Sequence, residues 1–529
     1  MIMFQLIVIT NAHGQPRKIY IGNDDHTDYM WTGDEETYQK AFSEMLDYYI
    51  RLNDSTASLP YNQQSKWNCD GSYWVYNYKK IRSAEQFNKI ICQVKEDKIT
   101  VPFNSMIVLL VAAPTEATIR DMYYAGSLKR RYGLDLSLVL NMEDQVLPLG
   151  LSSLWAGSGA RYSRKGVCAC ATKVTGLEKR KNNIYRYKGL DNQQVLMKWY
   201  NVNPFMITRR SEYRYNLGNY LEASNHPDAI IDCQALMQDP SYPYSIAAAF
   251  GKGGDHLKTL TGSFVKVDIE KSDSDYEIIV SNKIDYFKDF EKNYGAALPS
   301  ETVSYGTTEW GNSFASLAEV PASVKRAIEK LRTAEALHYP ETFHEEADAI
   351  LHAKSITKRG NYADSICRLD WLALNHFTDM SDDGHGMTIS NRDAYYMKTG
   401  NSTINKLDDT TAQIKVSAAG RIDMALGMIN QDGGSYLKDF LALKPHTGRF
   451  NASAAMRFAL QHQNPLTAGK VTGGSGYDGK HFSLFSIEDS SVVVWALKPA
   501  EKDIEKGIIL RAWNLANINT PVKFYQIHS

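Results

Sequence analysis

Short apolar runs alternate with amphipathic stretches along the first 300 residues. "FQLIVIT" (4–10) and "RKIYIG" (17–22) read as strands. "TYQKAFSEMLDYYIRL" (37–52) sets Tyr38, Phe42, Met45, Leu46 and Tyr49 on one stripe, the spacing of an amphipathic helix. "SMIVLLVAA" then reads as a strand, "TEATIRDMYYAGSLKRRYG" as a helix stopped at Gly133, and "LDLSLVLNMED" as a strand. "GVCACATKV" and "YEIIVSN" are further strands. This alternation predicts an α/β fold around a mostly parallel sheet, open or closed into a barrel.

The pattern changes near residue 321. "PASVKRAIEKLRTAEALH" places Val324, Ala327, Ile328, Leu331, Ala334 and Leu337 at helical spacing. "DSICRLDWLALNHF" and "LDDTTAQIKVSAAGRIDMALGMI" read as two more helices, which together predict a three-helix bundle. From about residue 450 the runs turn strand-like again: "HFSLFSI", "SVVVWAL", "GIILRAWNL" and "PVKFYQI". Three domains are therefore expected, at 1–305, 306–440 and 441–529.

Composition narrows the function more than the fold. The 529 residues carry a net charge of -1, and nothing in that balance argues for a nucleic-acid partner or an anionic membrane. No apolar run approaches the roughly 20 residues of a membrane span. "MIMFQLIVIT" lacks a basic leader and reads as a first strand, so the expected location is cytoplasmic. Six scattered cysteines without a CxxC fit a reducing compartment. The 32 tyrosines and 9 tryptophans offer flat apolar faces with polar tips, a composition suited to sugar binding.

Candidate chemistry gathers where strands end. In "IYIGNDDHTDYMW", His26 and Asp28 stand two apart, on one side of an extended chain. An imidazole and a carboxylate there can hold a divalent metal, most naturally zinc, or form a hydrogen-bonded pair capping the next helix. "LDLSLVLNMED" ends in Glu143 and Asp144, a pair that also suits a helix start. "AAAFGKGGDHLKT" hangs Asp255 on a glycine-rich turn, and "LDWLALNHFTDMSDDGHG" runs from a helix into a flexible stretch carrying His376 and His385. One assembly accounts for all four: a metal gripping sugar hydroxyls, with Asp144 and Asp255 as the carboxyl pair of a glycosidase.

These motifs, in this order, resemble glycoside hydrolase family thirty-eight, the zinc-dependent retaining α-mannosidases. "KIYIGNDDHTDYMW" is similar to that family's His-x-Asp-x-x-Trp strand, and the "ALKPAE…GIILRAWN" stretch to its C-terminal β module. The resemblance implies a seven-stranded (β/α) barrel, a helical bundle and a small C-terminal β module. It implies zinc on His26, Asp28 and Asp144, with a further ligand from His385 or His376. Asp144 becomes the nucleophile and Asp255 the acid/base, while Trp31, Tyr29, Trp74 and Trp310 contact a carbohydrate substrate. The sequence departs from the family in three ways, one being that the loop at Asp255 lacks the family's usual flanking pattern. Thr378-Asp379 stands where the family has His-Asp, and only about residues 430–450 replace a long middle β region. A catalytically degenerate glycan-binding relative and a metal-dependent deacetylase-type hydrolase are the alternatives, and a homo-oligomer stays open.

Overall fold

The computed structural model describes residues 16–25, 29, 33–106, 115–141, 147, 150–165, 184–189, 191–199, 222–223, 226–251, 257–302, 319–337, 377–381, 384–394, 396–399, 414–417, 438–466, 485–500, 507–516 and 518–526. The chain opens with β1 (Arg17–Gly22), α1 (Glu35–Thr56), β2 (Trp67–Asn68), α2 (Tyr73–Ile81), α3 (Ala84–Lys95) and β3 (Ile99–Thr100). Next come α4 (Thr115–Asp121), α5 (Tyr123–Tyr132), β4 (Leu138–Asn141), α6 (Leu151–Gly157), β5 (Tyr162–Lys165), β6 (Ile184–Lys188) and β7 (Gln194–Trp199). Then follow α7 (His226–Gln238), β8 (Ile246–Phe250), α8 (Val267–Lys271), β9 (Tyr276–Val280), α9 (Lys283–Tyr294) and β10 (Ser300–Glu301). The remainder holds β11 (Phe377–Ser381), β12 (His385–Asn391), β13 (Tyr396–Thr399), β14 (Ile414–Ser417), β15 (Leu441–Thr447), β16 (Phe485–Ile487), β17 (Val492–Pro499), β18 (Ile508–Asn514) and β19 (Phe524–Gln526). Helices Glu319–Leu337 and Ala452–Gln463 lie among these strands.

The chain divides into two compact units, residues 1–102 with 200–298 and residues 103–199 with 299–529. In the first, β1 lies between β8 and β9, and all three run parallel. Ile19 and Ile21 of β1 are fully buried, and the Ile-Ala-Ala-Ala-Phe of β8 is buried throughout. Apolar side chains on both faces are what a parallel strand covered by helices requires. A Cβ on Gly22 would meet the Ser281 carbonyl oxygen at 2.3 Å, so glycine is what lets the end of β1 approach the chain leaving β9. Helix α1 starts where Asp34 caps it, its carboxylate accepting from the Thr37 N–H at 2.9 Å. The stripe of Tyr38, Phe42, Met45, Leu46 and Tyr49 is buried as the spacing predicts.

The second unit contains a mixed five-stranded sheet, in the order β10-β6-β7-β5-β4. β4, β5 and β7 are parallel neighbours, whereas β6 runs antiparallel to β7. Gly133 ends α5 in the left-handed conformation, with φ 66°, as expected for the stop. The single helix expected before it is two, α4 and α5, parted at Met122. Among the described residues no sheet closes on itself.

In the region 306–440, two short stretches expected in helices are strands among the described residues. The helix Glu319–Leu337 matches the apolar spacing, and the other described elements there are strands β11 to β14, while residues 364–376, 407–413 and 418–429 of the two further expected helices lie outside the described residues. Ile414–Ser417, expected inside a helix, pairs antiparallel with β13. Phe377, expected at a helix end, opens β11, which pairs with β12, which pairs in turn with β15. Phe377 packs with Ala455, Met456 and Ala459 of helix Ala452–Gln463 and with Trp495. Helix propensities differ by only tenths of a kcal/mol per residue, so a ladder and core of this kind outweigh local spacing. The sheet β11-β12-β15 includes residues on both sides of position 440, and the strands expected in 481–527 are present as β16 to β19.

Candidate active site

The first unit brings the ends of three parallel strands together. Gly22, the last residue of β1, stands opposite Phe250, the last residue of β8. The chain leaving β1 carries His26 and Asp28, and the chain leaving β8 carries Asp255. The two are tied just beyond the strands: the Thr259 hydroxyl donates to the Asp25 carboxylate, and the Thr259 carbonyl accepts from the Tyr49 hydroxyl at 2.8 Å. Carboxyl-terminal strand ends are where parallel α/β folds gather functional groups.

The first unit also holds a buried ion cluster. Lys283 Nζ is 2.5 Å from Asp24 Oδ2 and 3.9 Å from Asp70 Oδ1, with all three side chains at most 2% exposed. Three elements supply it: Asp24 follows β1, Asp70 follows β2, and Lys283 begins α9. Asn68 knits them, donating to the Asn23 carbonyl at 2.9 Å and accepting from the Lys283 backbone N–H at 2.9 Å. A buried charge without an opposite neighbour costs several kcal/mol, which explains why the three meet. None of them was singled out from the sequence. The signal present was a polar burst directly after each strand, "NDD" and "SNK", read only as far as His26 and Asp28.

The first unit also holds an aromatic wall. The Tyr29 ring stacks on Phe42 at 6.2 Å and stands edge-on to Tyr38 and Tyr73 at 5.4 and 5.7 Å. Burial, and then the contact with Tyr73, push the Tyr29 hydroxyl above its ordinary range, so it stays a proton donor. Trp74, expected to touch substrate, is 2% exposed. It packs between Phe42 at 4.3 Å and Trp67 at 5.9 Å. Its role in this structure is to support the wall from behind, because an indole so large stabilises most when fully covered.

In the second unit, β4 ends at Asn141, three residues before Asp144, again at the carboxyl-terminal end of a parallel strand. His385 is the exposed first residue of β12, opposite Thr447, and not part of a flexible stretch. Asp379 is buried on β11, where the Thr388 hydroxyl donates to it at 2.5 Å and His446 Nε2 lies 3.0 Å away. His26, Asp28, Trp31, Asp144, Asp255, Trp310 and His376 lie outside the described residues. Among the described residues no group of three or more His, Cys, Asp or Glu could hold a metal ion, and no helix is long and apolar enough to cross a membrane.

No protein-family model and no curated protein matches the chain. By structure it is similar to an alpha-mannosidase from Enterococcus faecalis V583, with 15% identity and a TM-score of 0.44 over 60% of this chain and 34% of that one. It is similar also to a protein in Glycosyl Hydrolase Family 38 from Enterococcus faecalis, with 14% identity and a TM-score of 0.40 over 64% of this chain and 35% of that one. A third likeness is to the 4-alpha-glucanotransferase of Thermococcus litoralis, with 12% identity and a TM-score of 0.35 over 64% and 49% of the two chains. The chain spans about a third of the length of the two Enterococcus faecalis proteins.

Proposed function

We propose that this chain is a retaining glycoside hydrolase of the α-mannosidase type. The observation that carries the reading is the alignment of Gly22 with Phe250, which launches the His26/Asp28 segment and the Asp255 segment from neighbouring strand ends. The His-x-Asp-x-x-Trp motif on the first of these, and Asp144 beyond β4, give the reading its chemistry. The seven-stranded (β/α) barrel belongs to the same proposal, and the parallel run β8-β1-β9 of the first unit is in keeping with it.

Asp144 attacks the anomeric carbon, and Asp255 protonates the departing oxygen, then takes a proton from the water that releases the sugar. A retaining outcome requires these carboxyl groups about 5–5.5 Å apart. His26, Asp28 and Asp144 would supply a nitrogen-and-oxygen donor set that suits zinc, with His376 or His385 as the further ligand. Bound there, zinc would grip adjacent hydroxyls of the sugar. Trp31 and Tyr29 cover an apolar face of the ring, with Trp310 as a further wall.

The test is metal content of the purified chain together with turnover of a panel of aryl glycosides. One zinc per chain and release of aglycone from aryl α-mannosides is the expected result. Zinc without turnover of any glycoside would replace a hydrolase with a glycan-binding protein. Turnover of acetylated sugars in place of glycosides would point to a deacetylase.

A further inference from the structure

A second group of side chains sits beside the segment that carries Asp28. Tyr29, Tyr73 and Tyr76 are all half-buried, each leaving part of a ring at the surface. Tyr73 lies 5.7 Å from Tyr29 and 5.9 Å from Tyr76 between ring centroids, so the three form a continuous row. The row is held from behind: Phe42 backs both Tyr29 and Tyr73, at 6.2 and 6.3 Å. Rings fixed in this way lose little freedom when a ligand settles on them.

Polar tips converge on the same place. The Tyr73 hydroxyl lies 3.4 Å from the Tyr29 hydroxyl, 3.4 Å from Gln39 Nε2 and 3.4 Å from Glu35 Oε1. Every one of these is at the long edge of a hydrogen bond. Gln39 and Glu35 are joined more firmly, at 3.0 Å. The Lys80 ammonium lies 4.5 Å from the Tyr76 ring centroid, adding a further donor at the outer end. Two hydroxyls, an amide, a carboxylate and an ammonium are therefore grouped around ring faces, with loose bonds among those that meet at Tyr73. A ligand hydroxyl entering between them gives up weak contacts and gains shorter ones. An apolar ligand would leave these groups without partners. The chemistry that satisfies both the faces and the tips is a pyranose, apolar on one face and hydroxylated around its edge.

We propose that Tyr73 and Tyr76, with Glu35 and Gln39, continue the row from Tyr29 as an outer sugar-binding subsite that holds the second and third residues of an α-linked oligosaccharide. The inference rests on the glycosidase reading above and extends it from a single sugar to a chain. Tyr29 follows Asp28 directly in the chain, and from it the row runs to Tyr73 and Tyr76 of α2, beside Glu35 and Gln39 of α1.

The test compares a linear α-linked mannotriose with 4-nitrophenyl α-mannoside on the full chain and on Tyr73→Ala, Tyr73→Phe and Tyr76→Ala. The ratio of kcat/KM for trisaccharide over aryl mannoside should fall about three- to tenfold in each alanine variant, the effect of losing one ring contact. Most of the fall should appear in KM, and Tyr73→Phe should recover a large part of it. An unchanged ratio in both alanine variants overturns the subsite. If the chain turns over neither compound, calorimetric titration with the same trisaccharide separates the two ideas. Binding that weakens in Tyr76→Ala keeps the subsite while the hydrolase reading fails, and no binding of trisaccharide by the parent overturns the subsite as well.

Discussion

Asp144 bears the sharpest chemical demand of the proposed site, since a retaining mechanism needs a carboxylate that becomes covalently bound to sugar. Asp144→Asn keeps the size of the side chain and removes its charge. Turnover of an aryl α-mannoside should fall on the order of a thousandfold or more, while the thermal unfolding profile stays close to the parent's. Activity retained by the metal-loaded variant would assign the nucleophile elsewhere. In the proposed site the further zinc ligand is one of two histidines. His385 opens β12 on a backbone held by pairing to β15, and His376 directly precedes β11. Zinc affinity, read by competition with a chromogenic chelator, should drop more than about a hundredfold in one of His376→Ala and His385→Ala and hardly move in the other. Equal affinity in both would leave the site with His26, Asp28 and Asp144 alone. Asp144, like His26 and Asp28, could be read along the chain because it follows a strand. Lys283 could not be found that way: a lysine at a helix start is ordinarily solvated, and its contact with Asp24 exists only because β9 lies beside β1.

Among the elements, β1 is the most constrained. It is flanked on both sides, its side chains are buried toward its end, and that end must come close to the segment that follows β9. Gly22→Ala would put a methyl carbon 2.3 Å from the Ser281 carbonyl oxygen and 3.0 Å from the Phe250 ring. The first of these is backbone, anchored by the Ser281 N–H donating to the Ile21 carbonyl at 2.9 Å, so it cannot swing aside. The substitution should cost about 1–3 kcal/mol of stability, visible as a lower urea midpoint, and should disturb the site next to it. A midpoint within error of the parent would mean that β1 and β9 separate more easily than their register implies. The elements that patterning misjudged are those with ambiguous local preference. Ile414–Ser417 carries residues acceptable in either state, and its strand partner lies elsewhere in the chain, at Tyr396–Thr399. β6 and β7 went unread because their alternation is weak: in Gln194–Trp199 five of the six residues are buried, Lys198 among them.

For the molecule as a whole, stability should carry a signature of its buried lysines. Lys66 is 2% exposed and donates to the Tyr61 and Val280 carbonyls at 2.6 and 2.9 Å. Burial lowers its pKa from 10.5 to about 8. Between those values the unfolded chain binds a proton at this position that the folded chain does not. Stability contributed here therefore rises with pH from about 8 to 10.5 and is lowest below about 8. The full span is about 3 kcal/mol. Lys66→Met removes the titrating group, so the difference in unfolding free energy between variant and parent should change across pH 8 to 10.5 and stay flat below it. A constant difference across the whole range would show that Lys66 titrates normally. Local pattern along the chain was enough to place β1, α1, α5, β9, the helix Glu319–Leu337 and the C-terminal strands, because each has a strong apolar period with a cap or break at its end. It was enough also to pick out polar residues following strands, since that position depends on chain order alone. Which strands are neighbours, why Ile414–Ser417 is a strand, and which charges share the cluster at Lys283 all depend on contacts between residues far apart in the chain. Those contacts are set by pairing and burial across the whole fold, and no window of sequence contains both partners.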